Sequence, residues 1–290
     1  MNISASDVKN LRDMTGAGMM DCKKALVECG GDIDKAIDYL REKGISKAAK
    51  KQSRIAAEGL TNVYIDGNNA VILELNSETD FVAKNKDFQD LLEKIGKTIL
   101  EKHAETLEEA MALETEEGTI ENLIINATAT IGEKLSLRRF TYITKNDNQV
   151  FGRYLHLGGK ISILSVLDGD NEEVAKDISM QIAAMNPKYI GIDDVSAEEV
   201  EHEKSVLKTQ ALEEGKKEEF VDKIIEGRLS KFFEEICLVE QVFVKNSDLK
   251  VKEYLNNNNS KVVSFVRYEV GEGMEKRNDD FAQEVMSQLK

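Results

Sequence analysis

Apolar positions in the first 44 residues recur at helical spacing, and each run is closed by turn-forming residues. Ser4 and Asp7 are spaced as a capping box ahead of Val8 and Leu11. "TGAG" (Thr15–Gly18) interrupts the run, and "MMDCKKALVEC" resumes it with Cys22, Ala25, Leu26 and Cys29 on one face. Gly30 and Gly31 end this helix, and Asp32 is placed to cap a third that turns Ile33, Ala36, Ile37 and Leu40 inward. Gly44 is expected to stop it. Residues 1–44 therefore read as a three-helix module whose own core is marginal.

The stripe is lost over 45–56, "ISKAAKKQSRIA", which carries Lys47, Lys50, Lys51 and Arg54. Two readings fit this stretch: a solvated linker, helical or not, and a basic patch for RNA. A strand follows, then a turn at "DGNN" (Asp66–Asn69), then the strand "AVILEL". A helix is predicted from "NSETDFVAKN" onward through Phe88, Leu91, Leu92 and Ile95. The later passage "RYLHLGGKISILSVLDGDNEEVAKDISMQIAAM" repeats the plan of strand, Gly-containing turn, strand and helix. Matching the turns pairs Ile72 with Ile163, an offset of 91, and matching Val82–Lys84 with Val174–Lys176 gives 92. The agreement predicts an internal duplication, with core subdomains at 57–145 and 146–290.

Residues 103–132 read as helical and "LSLRRFTYI" as a strand. Residues 196–236 read as two helices turning near Gly215, with thin stripes of Val200, Leu207 and Ala211 on one and Phe220, Ile224 and Phe232 on the other. Such sparse stripes predict a projecting antiparallel hairpin. "VVSFVRYEV" reads as a strand, and a last helix is expected at about 279–290. The fold class is α+β: a helical N-terminal module, a linker, a duplicated core with antiparallel sheets, a helical hairpin and a C-terminal helix.

The duplication singles out one residue. Asp80 and Phe81 fall opposite Glu172 and Glu173 of the second copy, so Phe81 occupies a helix-entrance place that the other copy gives to a charge. Two readings fit: an exposed aromatic anchor for a partner, and a staple-like contact with a neighbouring loop.

Composition narrows the function classes. Of 290 residues, 39 are Lys or Arg and 54 are Asp or Glu, a formal charge of −15 that repels phosphate backbones at long range. Nucleic acid is therefore not expected as a direct ligand. Cys22, Cys29 and Cys237 form neither a disulfide framework nor a metal motif and fit a reducing compartment. No basic-then-apolar leader and no apolar run near membrane-spanning length is present, so a cytoplasmic protein without membrane attachment is expected. His103, His156 and His202 are scattered, and no GxSxG or HExxH occurs. "GAGMMDCKK" fails as a phosphate loop because Asp21 and Cys22 stand where glycine and lysine are needed; "LHLGGKIS" fails at Tyr154 and Ile161. No cofactor, metal or catalytic site is expected, which points to an interaction protein.

"LRDMTGAGMMDCKKAL" (Leu11–Leu26) and "ELNSETDFVAK" (Glu74–Lys84) resemble, in order and spacing, two signatures of the translation elongation factor Ts family. The resemblance extends along the whole chain. It implies a guanine-nucleotide exchange factor for elongation factor Tu, with an N-terminal module similar to ubiquitin-associated domains and no hydrolytic site of its own. Carried over position by position, it implies that Asp80, Phe81, Val82 and Ala83 dislocate Mg²⁺ from the partner. It further implies that Arg12, Met19, Met20 and His156 bind the partner, and that the Tu–Ts complex can form a dimer. Two other classes remain: an adaptor without exchange activity, and a metabolic enzyme with an acidic cleft.

Overall fold

The computed structural model of the chain describes residues 3–275. Two compact units are formed among these, one by residues 3–143, 158–160 and 268–275, the other by Thr144–Leu157 and Ile161–Arg267.

The first unit opens with three helices, α1 (Ala5–Thr15), α2 (Met19–Glu28) and α3 (Ile33–Ala49). Ser4 closes the capping box with Asp7, and Gly16 ends α1 in the left-handed region at φ 66°. Val8, Leu11, Cys22, Ala25, Leu26 and Ala36 form the small core, with Cys29 half-buried at its edge.

Strands β1 (Glu58–Asp66) and β2 (Asn69–Ser77) then pair antiparallel through the two-residue turn Gly67-Asn68. The short α4 (Asp80–Ala83), α5 (Lys86–Lys102) and α6 (Leu107–Ala112) follow. The strands β3 (Glu114–Thr115) and β4 (Gly118–Thr119), α7 (Ile120–Ile131) and β5 (Ser136–Thr144) complete the series. The sheet order is β1-β2-β5. Alternate β2 residues Val71, Leu73 and Leu75 meet Phe88, Leu92, Ile95 and Ile99 of α5 and Ile120, Leu123 and Ile124 of α7, so one face of a central strand builds the core.

The second unit repeats this scheme. Strands β6 (Gln149–His156) and β7 (Ile161–Asp168) pair antiparallel, and α8 (Glu172–Met185) lies on them. The helical hairpin α9 (Ala197–Glu213) and α10 (Glu218–Ile236) turns at Gly215, whose φ is 75°. A strand pair β8 (Val242–Phe243) and β9 (Asn246–Lys250), α11 (Val251–Asn257) and β10 (Lys261–Glu269) as far as Arg267 close the unit. Its sheet order, β10-β7-β6, places the second-copy strands as β5, β2 and β1 stand in the first.

Several sequence expectations are corrected. Helix α3 does not stop at Gly44 but runs to Ala49, because Gly44 is an inter-helix contact: a methyl group there would lie 3.2 Å from that of Ala129 in α7. The predicted helix from Asp80 onward is two helices, separated where Asn85 breaks the ladder and caps α5 by accepting from Asp87 N–H at 2.9 Å. Residues 103–132 are not continuously helical, since Thr115–Gly118 turns back as a small strand pair. On α10, Ile224 and Phe232 are half-buried, but Phe220 is 54% exposed and Val221 faces inward in its place. The strands β8 and β9 and helix α11 were not anticipated. The expected helix at 279–290 lies outside the described residues.

Candidate functional site

The site is the exit of β2. A four-residue helix is far below the length at which helices persist alone, so α4 must be held by its surroundings. Its N-cap, Thr79, accepts from Val82 N–H at 3.4 Å. Glu133, in the loop after α7, accepts from Thr79 N–H at 2.9 Å and from Thr79 Oγ1–H at 2.7 Å. Glu78 accepts from Arg54 at 3.2 Å and from Lys134 N–H at 2.6 Å. Ala83 is 2% exposed and Val82 packs on the first-unit core, which seats the helix from below.

Phe81 points the other way and is 78% exposed. The Lys84 Nζ lies 5.7 Å from the Phe81 ring centroid and donates to Asp80 Oδ2 at 2.7 Å. The Lys84 ammonium lowers the Asp80 carboxyl below its ordinary value. The staple-like packing of Phe81 is thereby overturned. At the corresponding place of the second copy, Glu172 and Glu173 are exposed and Asn171 caps α8 by accepting from Glu173 N–H and Val174 N–H.

Behind the site, Glu74 in β2 is fully buried. It accepts from Gly271 N–H at 2.8 Å, Asn76 Nδ2 at 3.0 Å, Arg138 Nη1 at 3.0 Å and Arg139 Nε at 2.7 Å. Burial pushes its pKa upward, but the Gly271 amide, Asn76 and the two guanidinium groups outweigh this, so the net shift is downward.

The other sequence candidates fall elsewhere. Arg12 is exposed in the last turn of α1. Met19 and Met20 open α2 and are 43% and 77% exposed, while Cys22, Ala25 and Leu26 of the same helix are buried. Arg12, Met19 and Met20 thus share the outer surface of the N-terminal module. His156 ends β6 in the second unit, half-buried and stacked on Tyr154 with 6.1 Å between ring centroids. Thr79, Lys84 and Glu133 were not singled out from sequence. The i, i+4 spacing of Asp80 and Lys84 was a readable signal, whereas nothing local points from Thr79 to Glu133.

Of the four cations noted over 45–56, Arg54 is paired with Glu78, and Lys51 donates to Gly132 O. Among the described residues, no group of three or more His, Cys, Asp or Glu is arranged to hold a metal ion, and no helix is long and apolar enough to cross a membrane.

The chain thus carries an exposed aromatic on a clamped helix and a helical N-terminal module. Residues 78–272 match the family described as Elongation factor TS. The chain belongs to the elongation factor TS family. Residues 3–40 match the UBA/TS-N domain, which covers the module of α1 and α2 and the first part of α3. The elongation factor TS match begins at Glu78, so it takes in Thr79, all of α4 and Glu133. Membership makes the protein a translation elongation factor whose partner is elongation factor Tu.

Proposed function

We propose that the chain is a guanine-nucleotide exchange factor that binds elongation factor Tu in its GDP form, disturbs the Mg²⁺ and phosphate site, releases GDP and holds the empty GTPase until GTP binds. The observation that carries this reading is the 78% exposure of Phe81 on a helix whose next residues, Val82 and Ala83, are locked into the core. An exposed ring on a rigid seat is a wedge rather than a flexible side chain.

GTPases hold nucleotide through backbone N–H groups at the phosphates and through Mg²⁺ bridging phosphate oxygens. Mg²⁺ demands near-octahedral geometry, so a small displacement of its surroundings weakens it sharply. Asp80 reaches the partner already paired with Lys84, which limits repulsion between its carboxylate and the phosphates. The wedge does not act alone. A thousandfold acceleration of release needs about 4 kcal/mol off the barrier, whereas burying one Phe side chain supplies about 1.5–3 kcal/mol. Docking by Arg12, Met19 and Met20 of the 1–44 module and by His156 of the second core subdomain supplies the remainder. Linkage then requires that GDP weaken the complex as much as the complex weakens GDP. Work in translation elongation accords with a cytoplasmic location.

The test is release of a fluorescent GDP from elongation factor Tu with and without the chain, beside binding to the nucleotide-free and GDP-loaded GTPase. Accelerated release and preference for the nucleotide-free form are expected. Equal binding to both forms with no acceleration identifies an adaptor instead.

A further inference from the structure

The Phe81 helix lacks a local element that the starts of α1 and α6 possess. In α6 the N-cap Thr106 and the third helical residue Glu109 form a complete box, with Glu109 accepting from Thr106 N–H at 3.2 Å. In α4 the third helical residue is Val82, which has no acceptor to return to the cap. The carboxylate of Glu133 occupies that role from 54 residues away in sequence. Its Oε2 takes the Thr79 N–H, and its Oε1 takes the Thr79 hydroxyl proton, which turns the oxygen's lone pairs toward Val82 N–H.

The loop that supplies Glu133 is itself fastened. Lys134 Nζ donates to Gln52 O at 2.6 Å and to Arg54 O at 3.0 Å, and Lys51 holds Gly132 O. Asn171 caps α8 from within its own segment, so the second copy needs no such distant carboxylate. The long-range cap therefore belongs to the copy that carries the exposed ring.

We propose that Glu133 is a positioning residue for nucleotide exchange, completing the cap of α4 from a distance and so aiming Phe81. This rests on the exchange reading above. The fixed geometry of a reacting group governs the barrier more than the encounter, so loss of Glu133 acts on the maximum rate and not on docking.

The experiment uses the full chain with Glu133→Gln, Glu133→Ala and Glu133→Asp. Fluorescent GDP release is measured over a range of chain concentrations to separate the maximum rate from the half-saturation concentration. Amide hydrogen exchange of residues 77–84 and melting temperature are measured on the free proteins. Glu133→Gln and Glu133→Ala are expected to lower the maximum rate about tenfold or more. Half-saturation and melting temperature stay near wild type, exchange at 77–84 quickens, and Glu133→Asp recovers part of the rate. An unchanged maximum rate with unchanged exchange at 77–84 overturns the proposal. So does a loss that appears only in half-saturation or follows the melting temperature. If the wild-type chain itself gives no acceleration, the exchange reading fails separately, and hydrogen exchange at 77–84 alone decides whether Glu133 caps the helix.

Discussion

Glu74 and Arg139 meet at 2.7 Å in a contact whose carboxylate is fully buried and whose guanidinium is 28% exposed. The pair lies on the sheet face opposite Val71, Leu73 and Leu75, and it ties β2 to β5 immediately upstream of the exposed ring. Arg139 also stacks on Tyr268, 4.2 Å from its ring centroid, and donates to Glu269 O at 3.0 Å, so the same guanidinium fastens the last residues of β10.

Glu74→Ala strands the Arg138 and Arg139 contacts and the Gly271 N–H without their acceptor. A loss of about 3–5 kcal/mol is expected, by analogy with other broken buried pairs. Urea unfolding at neutral pH checks it, and a change below about 1 kcal/mol would show the network to be dispensable.

The same carboxylate sets a pH dependence. Its folded-state pKa lies below the ordinary 4.5, so its contribution is complete above that value and disappears as pH falls through the lower folded-state pKa. The stability gap between wild type and Glu74→Gln should therefore be flat at neutral pH and shrink below about 4.5. A gap that widens on acidification contradicts this.

Two helical glycines should respond in opposite senses. Gly44→Leu forces bulk against Ala129 and is expected to destabilise by about 1–3 kcal/mol. Gly227, inside α10, has nothing within 4 Å of an added methyl, so Gly227→Ala should stabilise by about 0.5–1 kcal/mol. Thermal melting of the two variants separates a packing glycine from an unused one.

Met19 and Met20 lie outside the module's core, so replacing both with Ser should leave melting nearly unchanged. Affinity for elongation factor Tu should fall about tenfold or more, as expected for withdrawing buried methionine surface from an interface. Sedimentation or titration calorimetry measures the loss. A collapse of the fold instead would place these side chains in the module's own packing.

The sequence was legible where one local device decides the structure. Ser4 with Asp7, Asp32 before α3, the Gly67-Asn68 turn and Gly215 between α9 and α10 each act over a few residues, and each appears where read. Gly44 was misread because a glycine in a helix is a stop signal only when nothing packs on it, and Ala129 is 85 positions away. The glutamate-rich stretch before Gly118 has strong helix propensity, yet it turns back at Gly118, whose φ is 106°. The exposure of Phe81 was suggested by comparing the two copies. Its support by Glu133 was not readable, since a carboxylate capping a helix across 54 residues leaves no periodic trace.

The central claim is most directly tested by stopped-flow release of fluorescent GDP from elongation factor Tu under saturating Phe81→Ala. The account predicts a maximum rate lowered about ten- to a hundredfold, equivalent to about 1.5–3 kcal/mol of lost wedge burial, with the complex still formed. Release as fast as with the wild-type chain would contradict it.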